Sequence, residues 1–108
     1  MQAIVTMCLH LRGNARLELG DPSGMEDLRT ALDRSFREES GSGPSVSYFY
    51  LGEWRWALEG PAAGLDEHQR GIELAARRGL VRFEEWGKAE SLWMLFDAGQ
   101  WDDLLARA

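Results

Sequence analysis

The chain punctuates itself with glycine at a near-constant interval. Residues 20–32 read GDPSGMEDLRTAL and residues 60–72 read GPAAGLDEHQRGI. In each stretch a proline follows the first glycine within two residues, and a second glycine stands four positions on. An apolar residue comes next, Met25 or Leu65, and then an acidic pair, Glu26-Asp27 or Asp66-Glu67. Gly20, Gly60 and Gly99 lie 40 and 39 residues apart. A period of this size marks a repeat array, in which each unit buries its apolar face on its neighbour.

Between these punctuation points the apolar residues keep helical steps. Ile4, Cys8, Leu11, Ala15 and Leu19 recur every three or four positions, which predicts a helix over 2–19. Gly20-Asp21-Pro22 ends it. Ser23 caps a second helix, with Glu26 completing a capping box, and that helix fades near Glu39–Ser40. Gly41-Ser42-Gly43-Pro44 reads as a loop, and Ser45 caps the third helix. Residues 46–50, VSYFY, are strand formers, yet Leu51, Trp54 and Leu58 keep the helical step. No second strong strand exists for them to pair with, so a helix is expected. Gly60-Pro61 stops it. A fourth helix runs from about Ala63 to Gly79, a fifth over 82–98, and a sixth begins at Trp101. The expectation is an all-α fold of helix hairpins, about two and a half repeats, at approximately 2–40, 45–79 and 82–108. It forms a single domain.

Composition removes several functional classes. The formal charge is −6 at pH 7 and no basic patch is present, so neither nucleic acid nor an anionic membrane is an expected partner. No run of 18 apolar residues exists, so no membrane span is expected. Met1–Leu11 reads as structure rather than as a signal peptide. Cys8 is the only cysteine, which excludes an intrachain disulfide and fits a reducing, cytoplasmic setting. His10 and His68 fall on different predicted helices, and no H-E-x-x-H, G-x-S-x-G or C-x-x-C run occurs. No metal, no cofactor and no catalytic residues are expected. Glu84, Glu85 and Glu90 read as a solvated helix face.

With the segments RGNARLELGD at 12–21, GMEDLRTALD at 24–33, LEGPAAGLDEHQRGIELAARRGL at 58–80 and LFDAGQWDDLLA at 95–106, the chain resembles the tetratricopeptide (TPR)-like helical repeats. More narrowly, it is similar to the helical repeat region of large bacterial signalling and transcription regulators, downstream of their ATPase domains. Gly13 and Gly52 match the small residue in the middle of helix A; Gly20, Gly60 and Gly99 match the turn. Met25 and Leu65 stand near the first small position of helix B. The period departs from the usual 34 residues, and Arg16 and Arg55 fall where the family is commonly aromatic. No G-x-x-x-x-G-K-[ST] run is present, so no ATP-linked activity carries over.

The resemblance implies an α-α superhelix whose A helices line a concave surface. Counting from Gly13, Gly52 and Ser91 assigns to that groove His10, Asn14 and Leu17, then Phe49, Glu53 and Trp56, then Lys88, Leu92 and Leu95. Aromatic side chains anchor interfaces well because they bury large areas at small entropic cost. Phe49 and Trp56, two turns apart on one helix, are the expected anchors. The expected function is a non-enzymatic protein- or peptide-binding scaffold, regulatory in character. The alternative is a small-molecule sensor whose aromatic cluster encloses a pocket. Trp93, Phe96, Trp101 and Leu104 are expected to remain uncovered at the C-terminal end. They, or alternatively the first helix, are expected to form the contact of a homo-oligomer, a two-fold dimer by preference.

Overall fold

Six helices follow one another, and no strand occurs among the described residues, 2–37 and 43–107 of a computed structural model. They are α1 (Gln2–Glu18), α2 (Gly24–Ser35), α3 (Gly43–Glu59), α4 (Pro61–Arg77), α5 (Val81–Asp97) and α6 (Trp101–Arg107). The VSYFY stretch is helical. Pro44, expected in a loop, is instead a buried residue of the first turn of α3, where its missing N–H leaves no hydrogen bond unmade. The second helix ends at Ser35, earlier than expected. The expected break at Gly41 falls outside the described residues. The capping box at Ser23 and Glu26 does not form: Ser23 makes no side-chain cap, and Asp21 Oδ1 accepts from the Ser23 N–H at 3.0 Å instead.

The turn glycines act through backbone geometry. Gly60 has φ +107° and is the single residue between α3 and α4, with Pro61 opening the new helix. After α1, α4 and α5 the chain makes the same paired closure. Asp21 N–H reaches Arg16 O at 2.8 Å, Leu80 N–H reaches Ala75 O at 2.9 Å, and Gln100 N–H reaches Leu95 O at 3.0 Å. Each spans a glycine of positive φ, the Schellman arrangement.

Each helix packs on the next, as hairpins require. In addition α1 touches α3 and α3 touches α5, whereas α2 does not touch α4, nor α4 touch α6. The odd helices are therefore the inner layer of a curved array. The shortest dimension, 14 Å, matches one helix stacked on another, since packed axes stand about 8–10 Å apart. This is an all-α stack of consecutive helix pairs.

Two repeated contacts hold the hairpins together. Gly13 meets Gly24, and Gly52 meets Gly64, so closely that a Cβ on Gly13 or Gly64 would stand 2.9 Å from the facing carbonyl oxygen. The small helix-B positions are thus Gly24 and Gly64, one residue before Met25 and Leu65, which are only half-buried. Beside each glycine pair an arginine of the odd helix meets a buried acid of the even one. Arg16 lies 2.9 Å from Asp27, which also takes two bonds from Arg12, and Arg55 lies 3.2 Å from Glu67. The positions that depart from the aromatic pattern therefore carry the hairpin's ion pair. The core proper is apolar: Leu17, Leu28 and Leu51 form one cluster, and Phe49, Ile72, Ala75, Met94 and Leu95 are buried further along.

Candidate functional site

The inner layer is stitched by side-chain hydrogen bonds that join residues about one period apart. His10 Nε2 lies 2.8 Å from Ser47 Oγ, and its ring makes a tilted contact with Tyr50 at 4.9 Å. The Trp54 indole donates to Asn14 Oδ1 at 2.7 Å. The Trp56 indole donates to Asp97 Oδ2 at 2.8 Å. These bonds tie α1 to α3 and α3 to α5 where their faces converge.

Between α1 and α3 this leaves an open hollow of about 460 Å³ lined by Asn14, Glu18, Tyr50, Glu53, Trp54, Trp56 and Ala57. Glu53 also borders a small cleft toward α5, with Val46, Phe49, Tyr50 and Trp86. Glu53 is thus the ridge between the two, and the groove runs across all three odd helices.

On the α5 side the groove has a titratable floor. Glu90 hydrogen-bonds to Glu53 and to the imidazole of His68, whose Nε2 stands 3.3 Å from Glu90 Oε2, and it lies beside Trp86. His68 comes from α4 and is fully buried; Phe49 meets it in a tilted ring contact at 5.1 Å and meets Trp86 edge-on at 5.3 Å. With Nε2 turned to Glu90, Nδ1 lies against Gly52 with no hydrogen-bond partner. Any Cβ at position 52 would collide with that atom, which explains the glycine there. The environment drives the two carboxyls apart. Lost hydration, then the hydrogen bond and charge of Glu90, push Glu53 up to about 7. Burial alone would raise Glu90, but the hydrogen bonds from His68 and Glu53, helped by the nearby Trp86 indole, outweigh it and hold it low.

The groove residues expected from sequence separate into three groups. Asn14, Glu53 and Trp56 lie on the groove. Phe49 does not: at 2% exposure it is a core residue, because the step of three before Gly52 faces α4 and α5 rather than the inner surface. Leu17 and Leu95 are buried for the same kind of reason, and His10, 4% exposed, supports the wall from behind. Lys88 and Leu92 line a different hollow of about 590 Å³ between α4, α5 and α6, with Gln69, Ile72, Glu85 and Arg107. Counting from Ser91 turns the helix away from the groove; the glycine of α5 that packs against Phe49 and Ile72 is Gly87. Glu90, expected on a solvated face, is half-buried under Trp86 and beside His68. Lys88 pairs with Glu84 at 2.8 Å. Tyr50, Trp54, Trp86, Glu18 and Glu90 are the groove residues that spacing alone did not select, and the buried His68 backs Glu90.

Trp93, Phe96 and Leu104 do come together, around an apolar hollow of about 260 Å³ between α5 and α6. Trp93 and Trp101 are 68% and 61% exposed. No three histidine, cysteine or acidic side chains among the described residues are placed to hold a metal, the Glu53, Glu90 and His68 set included. No described helix is long and apolar enough to cross a membrane. Compared with known proteins, the chain matches no family model, no curated protein and no solved structure.

Proposed function

We propose that this chain is a TPR-like, non-enzymatic scaffold that binds a protein or peptide segment along the inner face of α1, α3 and α5. The observation that carries the reading is the groove itself. Its walls include Trp54 and Trp56, held by hydrogen bonds to the neighbouring helices, and Tyr50, set against the His10 ring, so little side-chain entropy remains to be lost on binding. Its hollow is open along one side, which suits an extended occupant better than an enclosed metabolite. A small-molecule sensor would need that side closed.

Selection from a display library of random peptides of about twelve residues tests the proposal. Selected peptides should compete with one another and lose at least tenfold in affinity for a Trp54→Ala variant that retains its helicity. Binders indifferent to that change, or no binders at all, reject the groove.

Self-association through the α5/α6 patch is a separate proposal, supported by the exposed Trp93, Phe96 and Trp101. Sedimentation equilibrium should find a dimer that Trp93→Glu dissociates. A wild-type monomer at high micromolar concentration rejects it.

A further inference from the structure

Resting on the reading of the inner face as a peptide groove, we infer that the groove selects its partner by one cationic side chain. An arginine or lysine of the bound segment seats its head on Glu53 and Glu90 and lays its stem on the rings of Tyr50, Trp56 and Trp86.

The argument begins with where the chain spends its own cations. Arg12 and Arg16 are taken by Asp27. Arg55 is shared among Glu59, Asp66 and Glu67, and Arg70 pairs with Asp66 and Glu67. Lys88 is held by Glu84. All of these pairs lie away from the groove. The groove's own acids, Glu18, Glu53, Glu90 and Asp97, have no arginine or lysine partner among the described residues. A face whose four acids are paired with no arginine or lysine of the chain itself, between aromatic walls, is complementary to a cation on two counts. Coulomb attraction draws it in, and the ring faces hold it at about 0.5–2 kcal/mol per contact.

The Glu53–Glu90 pair makes the site more specific than a negative surface. Two carboxyls that hydrogen-bond to each other must share a proton, because both cannot ionise side by side at low cost. A guanidinium or ammonium head supplies the positive charge that the proton was supplying. Binding therefore ionises Glu53: its O–H bond breaks, the proton passes to buffer, and both carboxylates accept from the cation. His68, behind Glu90 from α4, already donates to it and stays in place. The other groups that border Glu53 are Glu18 and Asn14 from α1, Trp86 from α5, and Tyr50, Trp54 and Trp56 on its own helix. The repulsion that the newly formed carboxylate meets comes from Glu90, and it sharpens the need for the cation.

The test uses an arginine- or lysine-bearing peptide from the display selection, its citrulline or acetyl-lysine isostere, and N-acetylarginine amide as a free small cation. Calorimetry at pH 7 in two buffers of different ionisation enthalpy reads the protons released. Since Glu53 titrates near pH 7, about half a proton should leave per peptide bound, and affinity should fall as pH drops below 7, approaching tenfold per unit. The neutral isostere should bind at least tenfold more weakly. Glu53→Gln, a near-isosteric change at the groove surface, should fold normally, weaken the charged peptide about tenfold and abolish the proton release. Groove binding that survives neutralisation within twofold, or selected peptides free of arginine and lysine, overturns the inference and leaves the groove reading intact. Peptides that bind elsewhere overturn both. N-acetylarginine amide binding as tightly as the peptide overturns the segment and assigns the site to a free cation.

Discussion

Replacing Phe49 with alanine should cost this domain a large share of its stability. The ring is 2% exposed and sits in a slot between two glycines. A Cβ on Gly71 or on Gly87 would stand only 2.6 Å from Phe49 Cε1, so the helices have been brought to ring contact and no closer. Removing the ring leaves a hole bounded by α4 and α5 backbone. Neither helix can collapse into it while His68 and Trp86 hold the sides. A buried Phe→Ala change costs about 3–5 kcal/mol, and poor collapse places this one in the upper half of that range. The two lost ring contacts, to His68 and Trp86, add to the loss. Domains of this size are stable by about 5–15 kcal/mol, so the variant will be marginal. Urea denaturation followed by far-UV circular dichroism measures the effect, and Phe49→Leu, at about 1–2 kcal/mol, gives a point that surely folds. A loss below about 1.5 kcal/mol for Phe49→Ala, with an unchanged denaturant slope, would refute the slot and return Phe49 to the groove.

The remaining predictions concern packing and charge. Gly52→Ala should destabilise although alanine favours helix, because its methyl meets His68; pairing it with His68→Ala should recover part of the loss in a thermal melt. Asp27→Asn should lower the melting temperature at pH 7. In the wild type this contribution is present above the ordinary carboxyl value of 3.8, and it fades as pH falls through the lower folded value that the Arg12 hydrogen bonds impose. Glu53 has the opposite sign. Its folded value near 7 lies above the ordinary 4.5, so its contribution is full below 4.5 and is lost as pH rises through 7. Glu53→Gln should therefore melt higher than the wild type at pH 8 and nearly level with it at pH 4; a lower melt at pH 8 would contradict the shared proton.

Much of the architecture could be read from punctuation. Gly20, Gly60, Gly79 and Gly99 all have positive φ, and a residue that must turn left is conspicuous in a chain of L-residues. Helix ends set by side chains were harder. Ser23 looks like a cap, but Asp21 reaches the backbone first. The groove was harder still, because it depends on which way each helix is rotated. A residue three before a small position reads as inward on a helical wheel, yet Phe49 is claimed by the neighbouring hairpin. Asn14 and Glu53, one step after Gly13 and Gly52, face the groove as expected; on α5 the same rule counted from Ser91 leads to the wrong hollow. His68 and Glu90 lie 22 residues apart on α4 and α5, and no local spacing connects them. The repeated Arg16–Asp27 and Arg55–Glu67 pairs had a signal, the acidic doublets at 26–27 and 66–67, whose second member is the buried one in both repeats.

The five tryptophans give the most direct test of where this chain binds. Three belong to the groove, with Trp54 bonded to Asn14, Trp56 bonded to Asp97 and Trp86 beside Glu90. Two belong to the far end, Trp93 and Trp101, with the latter's indole donating to Phe96 O at 3.3 Å. Each indole N–H gives a separate signal in a proton–nitrogen correlation spectrum. Titrating a display-selected peptide into labelled protein should shift the signals of Trp54, Trp56 and Trp86 and leave Trp93 and Trp101 still. Movement confined to Trp93 and Trp101 would contradict the account and assign the binding surface to the α5/α6 end.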